Sequence, residues 1–339
     1  MRYVLIMAGG SGKRLWPLSR QDMPKQLLRV VGGKSLLRIA YERTGRHRSG
    51  RSACWYARVP ITPDIVATEL PELKPANILG EPEGRDSLNA VAWPAAVVAA
   101  RDPDAVIAVV TSDHLMHPVS AFQSALLEAF EVAESGEDFL VTFGVVPTAP
   151  HTGYGYLRRG EILPHHPDVF SVIEFKEKPD RATAEEYLAS GEYWWNSGMF
   201  VWRARTFLDQ LEALQPKTHA AVQALAAAPY RLSEIYPELL KISVDYAVME
   251  PVSRGEGSAQ VVAVRLPITW HDVGGFAALS EQLPRDERGN AIHGVSVLVD
   301  ARDNLVINNA EDGRVVAVVG LTDTGHRSDA ADHPRLPDH

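Results

Sequence analysis

The chain contains a single cysteine, Cys54, among 339 residues. One thiol can build neither an internal disulfide framework nor a cysteine metal cluster, so Cys54 reads as a small buried hydrophobe. Basic residues are also short: 34 Lys and Arg stand against 43 Asp and Glu, a formal charge of −9 at pH 7. That sign argues against general nucleic-acid binding and against an anionic membrane surface. Long apolar runs are missing. The longest, near Ala90–Ala100, is broken by Pro94 and is too short to span a bilayer. The N-terminus leads straight into an apolar segment with no signal-peptide pattern, so the expected location is cytoplasmic. The length suits two domains, or one large α/β domain with an appendage.

What is present is concentrated at the start. Tyr3–Ala8 is a continuous apolar run of the kind that forms a buried strand. Gly9, Gly10 and Gly12 follow around Ser11. Glycine allows positive φ and close approach of backbone N–H groups, and several N–H groups aimed at one point hold an anion, phosphate above all. Lys13, Arg14 and Lys25 supply cations that neutralise phosphate charge. Two common phosphate loops fail here. A P-loop would need glycine at Met7 and Ser or Thr at Arg14; a dinucleotide loop would need glycine at Leu15. On the glycines alone, a tight strand-to-helix turn explains the segment equally well.

Further on, strand and helix patterns alternate. Ser35–Arg46 reads as a helix with Ser35 as N-cap, Cys54–Val59 as a strand and Pro63–Leu70 as a helix. Asn77–Glu81 is a short strand that runs into the loop Glu81-Pro82-Glu83-Gly84-Arg85-Asp86, before the alanine-rich helix Ser87–Arg101. Ala105–Thr111 is a strand buried on both faces that stops at Ser112-Asp113-His114. Phe122, Leu126, Phe130 and Ala133 recur at helical spacing, and Phe139–Val145 is another buried strand. Such alternation implies a parallel sheet with helices on both faces and sites at the carboxyl ends of strands.

The second half is mixed. Val169–Lys178 is strand-like, Ala182–Ser190 helical, and Tyr193–Arg203 rich in aromatics. Helices are expected over Ala204–Leu214, His219–Ala227 and Leu232–Lys241, and a strand over Ala259–Leu266. From Gly289 onward only short apolar pieces remain, Val295–Val299, Leu305–Asn308 and Val315–Val319, which read as a small β appendage. Their spacing is too irregular to assign a solenoid. Thr322–His339, rich in Asp, His and Pro, reads as a disordered tail. The expected organisation is a catalytic domain over residues 1–285, a β unit over 286–321 and a tail over 322–339.

Several residues carry candidate chemistry. Asp113, just past a buried strand, suits Mg²⁺ or a helix cap. Asp272, in Trp270-His271-Asp272-Val273-Gly274-Gly275, suits a second metal contact or a turn. Glu177-Lys178-Pro179 offers an acceptor and a cation before a proline turn, and equally a solvated pair. Asn196 has the donor and acceptor that a sugar hydroxyl requires. Tyr154-Gly155 places glycine where backbone approaches a ligand, or makes a hairpin turn. Trp194, Trp195 and Phe200 read mainly as core, one of them alternatively as a pocket wall, and His114 as a structural neighbour.

Taken with Arg14, Pro17, Pro24, Lys25 and Gln26, the first segment resembles the sugar-nucleotidyltransferase signature GGxGxRLxPLS…PKQ, most like that of the mannose-1-phosphate guanylyltransferases. TSDH, EKP, WNSGMF and SVDYAVME follow in that family's order, and the resemblance covers about residues 1–321. It implies a Rossmann-like α/β fold with a mixed, mostly parallel sheet flanked by helices, and a small C-terminal β-helix-like appendage. It implies Mg²⁺-dependent formation of GDP-mannose and pyrophosphate from GTP and mannose 1-phosphate. Arg14 and Lys25 would be catalytic; Ala8, Gly9, Gly10, Ser11, Gly12, Glu81, Pro82 and Arg85 would bind the nucleotide. Tyr154, Gly155, Glu177, Lys178 and Asn196 would hold the sugar phosphate, Asp113 and Asp272 the Mg²⁺, and Asp245 would have a supporting role. The expected partners are the two substrates and a second copy of the chain. The family continues Asn-Thr-Ala-Pro after the loop arginine, whereas this chain has Asp86-Ser87-Leu88-Asn89, which puts base choice in doubt. Another sugar or base (heptose, glucose) and an inert GDP-mannose-binding regulator are the alternatives.

Overall fold

The structure, a computed structural model, describes residues 1–9, 12–20, 23–29, 32–45, 53–57, 63–310 and 313–328, with backbone alone at Lys13, 53–57 and Pro63. Gly10, Ser11, the side chains of Lys13 and Cys54, and residues 329–339 lie outside the description. The chain divides into two compact units, Met1–Gly10 with Leu37–Trp270, and Ser11–Leu36 with His271–His339.

The first unit is built on a mixed sheet. Its strands are β1 (Arg2–Met7), β2 (Ala53–Ala57), β3 (Ile78–Leu79), β4 (Val106–Thr111), β6 (Phe139–Val145), β7 (Gly155–Leu163), β8 (His166–Lys176), β9 (Tyr193–Arg203) and β10 (Gln260–Arg265), in the order β3-β2-β1-β4-β9-β6-β10-β8-β7. A short strand that the sequence does not announce, β5 (His114–His117), follows β4. β1 pairs in parallel with β2 and β4, and β6 with β10. The aromatic segment Tyr193–Arg203 is a strand that runs antiparallel between β4 and β6. It is buried almost throughout because it lies in the middle of the sheet. Gly144 is glycine because any Cβ there would strike the Trp194 ring; the β6–β9 register shifts between Thr142 and Gly144.

Helices α1 (Leu36–Arg43), α2 (Pro63–Glu69), α3 (Asp86–Arg101), α4 (Val119–Glu134), α5 (Arg181–Ser190), α6 (Ala204–Leu214) and α7 (Pro216–Ala227) accompany the sheet. Ala92, Ala95 and Ala96 of α3 are buried in the main core beside Leu5, Val109 and Trp202. Asp180 caps α5 by accepting from Thr183 N, and Gly191, in the left-handed region, ends it. The helix expected over Leu232–Lys241 is cut short. Only α8 (Leu232–Ile235) forms, because Pro237 follows and a 3₁₀ turn covers Tyr236–Glu238. The segment Asp245–Met249 is a single π-helical turn, continued by α9 (Glu250–Ser253). No helix among the described residues is long and apolar enough to cross a membrane.

Between β10 and the second unit's helix α10 (Phe276–Ser280) lies β11 (Thr269–Asp272). The second unit then adds β12 (Ala291–His293), β13 (Ser296–Val299), β14 (Leu305–Asn308), β15 (Val316–Val319) and β16 (Gly325–Ser328). They stack in parallel as β12-β14-β16 and β13-β15, the arrangement of a small β-helix around Ala301, Val306 and Val318. The coils are tied by buried amides. Asn304 Nδ2 donates to Asn290 Oδ1 at 2.9 Å, and Thr324 Oγ1 donates to Asn304 Oδ1 at 2.7 Å. The stretch after Leu321 is therefore no tail over its first residues: Gly325–Ser328 is a strand, held because β14 offers it a free edge.

Candidate active site

Gly12, Arg14, Lys25 and Asp272 all belong to the second unit. Gly12 has φ +58°, and a Cβ on it would lie 2.8 Å from Ser19 Oγ and 3.2 Å from Lys25 Cβ. Ser19 Oγ donates to Gly12 O at 2.5 Å, and Leu15 N donates to the same carbonyl at 2.7 Å. Glycine at this position thus lets the backbone lie close against Ser19 and Lys25. Lys25 is 7 % exposed and its Nζ lies 3.5 Å from Asp272 Oδ1. Gly274 keeps open the space between Arg14 and Asp272: a Cβ there would meet Arg14 Nη1 and Asp272 Oδ2, each at 3.3 Å. Arg14, Lys25 and Asp272, distant in sequence, are brought together. Ala8 is fully buried at the end of β1.

In the first unit, Asp113 sits in the turn between β4 and β5. Ser112 N donates to Met7 O at 3.0 Å, which fixes this turn to the end of β1. Arg43 braces it from beneath. Its Nη2 donates to Thr111 O at 2.8 Å and its Nη1 to His114 O, with the guanidinium 5.2 Å over Phe122. Burial pulls Arg43 down to about 10, and the Asp113 charge works the other way, so it stays a cation at neutral pH. His114 Nδ1 accepts from Trp270 Nε1 at 3.2 Å. Indole N–H is a donor only, so the His114 proton is on Nε2, which faces Asp113 at 3.9 Å.

The sugar-phosphate candidates also converge. Gly155 pairs with Asn196 across β7 and β9. A Cβ at Gly155 would lie 2.5 Å from Glu177 Oε2 and 3.3 Å from Asn196 Cβ. Glu177, 7 % exposed, accepts from Lys178 Nζ at 2.7 Å. Burial opposes the Lys178 charge, but the bond to Glu177 and the charges of Glu177 and Asp245 outweigh it and raise its pKa. Asn196 Oδ1 accepts from Thr142 Oγ1 at 2.9 Å and from Gly198 N at 3.3 Å; its Nδ2 donates to Asp245 Oδ1 at 2.9 Å. The acceptor end of Asn196 is therefore committed, leaving one N–H for a ligand. Tyr154 packs with His151, Trp195 and Trp270 at ring distances of 4.7, 5.3 and 4.8 Å.

A nucleotidyl transferase family model matches residues 3–289. The chain is 40% identical over 333 residues to a mannose-1-phosphate guanylyltransferase of Klebsiella pneumoniae, covering 94% of this chain and 67% of that protein. It is 39% identical to the xanthan biosynthesis protein XanB of Xanthomonas campestris pv. campestris, covering 94% and 66%. The chain belongs to the nucleotidyl transferase family. It spans about two thirds of the length of these curated relatives. Among solved structures, the mannose-1-phosphate geranyltransferase of Thermus thermophilus superposes with a TM-score of 0.81 at 34% identity, over 98% of this chain and 93% of that one.

In this nucleotidyl transferase the loop expected to lie by the base runs from Glu81 into the start of α3. Glu81 points inward: it is 1 % exposed, and its Oε1 accepts from Tyr236 OH at 2.5 Å. The exposed carboxylate on the loop is Glu83, which pairs with Arg85 beside the exposed Pro82. Asp86, where the family has a neutral amide, turns its Oδ1 to Ser87 N at 2.8 Å, at the positive end of α3. No role for Arg43, Tyr236 or Gln26 follows from the sequence. Gln26 is fully buried, with neither amide atom hydrogen-bonded among the described residues. Its place in PKQ was the only available signal; for Arg43 and Tyr236 there was none, because their partners are far away in the chain.

Proposed function

We propose that this chain makes GDP-mannose and pyrophosphate from GTP and mannose 1-phosphate. The names of the relatives suggest those substrates, and the convergence of Arg14, Lys25 and Asp272 supports the chemistry. An oxygen of the sugar phosphate attacks the α-phosphorus of GTP in line, a new P–O bond forms, and the bond to the β-phosphate oxygen breaks to release pyrophosphate. The attacking oxygen is already anionic, so no general base is required. The work is to align two anions and offset their repulsion. Lys25 stabilises the α-phosphate, Arg14 receives the β- and γ-phosphates, and the backbone of Gly9–Gly12 cradles the triphosphate. Glu177, Lys178, Asn196 and Gly155 hold the sugar phosphate.

Asp113 and Asp272 are the residues that would hold Mg²⁺, which neutralises phosphate charge when bound. Their donor set, hard carboxylate oxygens, fits that ion.

The test is pyrophosphate release from purified protein with Mg²⁺, mannose 1-phosphate or glucose 1-phosphate, and each of GTP, ATP, UTP and dTTP. Release with GTP and mannose 1-phosphate is expected. Release only with another pair moves the substrate, and binding of GDP-mannose without turnover overturns the enzyme reading.

A further inference from the structure

The base loop and the sugar-phosphate pocket are far apart in sequence, but one segment touches both. Tyr236–Val244 runs along the start of α3 and is bonded to it repeatedly. Tyr236 OH donates to Glu81 Oε1 at 2.5 Å. Asn89 Nδ2 donates to Leu240 O at 2.7 Å and, with its other proton, to Arg85 O at 2.7 Å. Leu88 N donates to Ile242 O at 3.2 Å, and Val244 N donates to Ser87 Oγ at 3.0 Å. Asn89 is fully buried, and its amide can take only one orientation, because a flip would set its oxygen against two carbonyls. The next residue after Val244 is Asp245, which opens the π-helical turn and holds Asn196. A π turn inside a helix is a common mark of a functional position.

These bonds fix the segment to α3 at Leu240, Ile242 and Val244. Ser87 satisfies an N–H at the first turn of the element that carries Asp245, and Asn89 ties the last residue of the base loop to the same segment. The bonds thus form a continuous path from Arg85 of the loop, through α3's first turn, to Asp245 and the Asn196 amide.

We infer that Ser87 and Asn89 are positioning residues that couple the nucleotide site to the sugar-phosphate pocket, so that a bound nucleotide sets the affinity for the sugar phosphate. This rests on the function proposed above. It also gives a role to Asp86-Ser87-Leu88-Asn89, the stretch that departs from the family pattern: its side chains bind the protein rather than the base.

The experiment is calorimetric titration of mannose 1-phosphate into the full chain with Mg²⁺, with and without a GTP analogue whose α,β-bridge is methylene. Wild type is expected to bind the sugar phosphate about tenfold tighter when the analogue is present, within the usual range for coupled sites. In Ser87→Ala and Asn89→Ala the gain shrinks to about twofold or less, while affinity for the analogue itself stays close to that of wild type. Ser87→Thr, which keeps the acceptor oxygen, restores it. A general loss of folding would lower both affinities and would not be rescued. If Asn89→Ala does not fold, the Ser87 pair decides alone. An undiminished gain in both alanine variants, or no gain in wild type, overturns the coupling. Wild-type turnover of GTP with mannose 1-phosphate is measured in parallel. Turnover without coupling rejects this inference alone, and absence of turnover and of binding rejects the function on which it rests.

Discussion

Asp245 Oδ1 lies 2.9 Å from Asn196 Nδ2 and accepts its proton. Burial first, and then the neighbouring charge of Glu177, push the Asp245 carboxyl from 3.8 up to about 7. The folded chain therefore keeps a proton here that the unfolded chain releases near pH 4. Between those values the unfolded state binds fewer protons, so stability falls as pH rises toward about 7, by up to about 1.4 kcal/mol per pH unit. Asp245→Asn removes this penalty. Urea unfolding between about pH 5 and about pH 8 should show the variant gaining on wild type as pH rises to about 7 and no further. A constant difference would remove Asp245 as the source.

Arg14→Ala and Lys25→Ala should each lower kcat by about 10²- to 10³-fold, the usual scale for a lost contact to developing charge. Arg14 is exposed, so its replacement should leave the thermal midpoint nearly unchanged. Rates near wild type in a folded variant would rule out these roles.

Gly155→Ala adds a methyl group 2.5 Å from Glu177 Oε2. Glu177 must yield, at a cost of about 1–3 kcal/mol. The KM for mannose 1-phosphate should rise well above that of wild type, with the KM for GTP little changed. A rise confined to GTP would place Glu177 at the wrong end of the site.

Arg43→Met takes the donors away from the Thr111 and His114 carbonyls. Stability should drop by about 2–4 kcal/mol, since both bonds are charge-assisted and the one to His114 O is buried. The turn that carries Asp113 loosens, so the Mg²⁺ concentration for half-maximal activity should rise. An unaltered Mg²⁺ titration in a destabilised variant would show that Arg43 serves the fold alone.

Much of the framework was legible. Tyr3–Ala8, Ala105–Thr111 and Phe139–Val145 are apolar because they occupy central strands, and the alanines of Ser87–Arg101 mark the helix that packs closely on the core. The mixed sheet with flanking helices and the small C-terminal strands match the expectation. β9 was obscured because a strand in the middle of a sheet shows no alternation. β5 was obscured by its brevity. At the site, Glu177, Lys178, Asn196 and Gly155 were visible as motif residues and do meet. The inward turn of Glu81 was not visible, because Tyr236, which holds it, lies 155 residues away. Nor could Asp245 be read as the residue that fixes Asn196, since no local pattern announces a π turn.

The tied coils at the C-terminal end have a consequence for how this part of the chain can change. Asn290 and Asn304 are 14 residues apart, whereas Asn304 and Thr324 are 20 apart, yet each pair makes the same kind of contact. The rungs at Asn290, Asn304 and Thr324 thus hold step in coils of unequal length, and each coil carries its own strand, β13 or β15, on the opposite side. The six-residue difference between the two coils is absorbed outside the paired strands, so a change of length that spares β13 and β15 appears as a longer or shorter loop rather than as a misaligned β-helix.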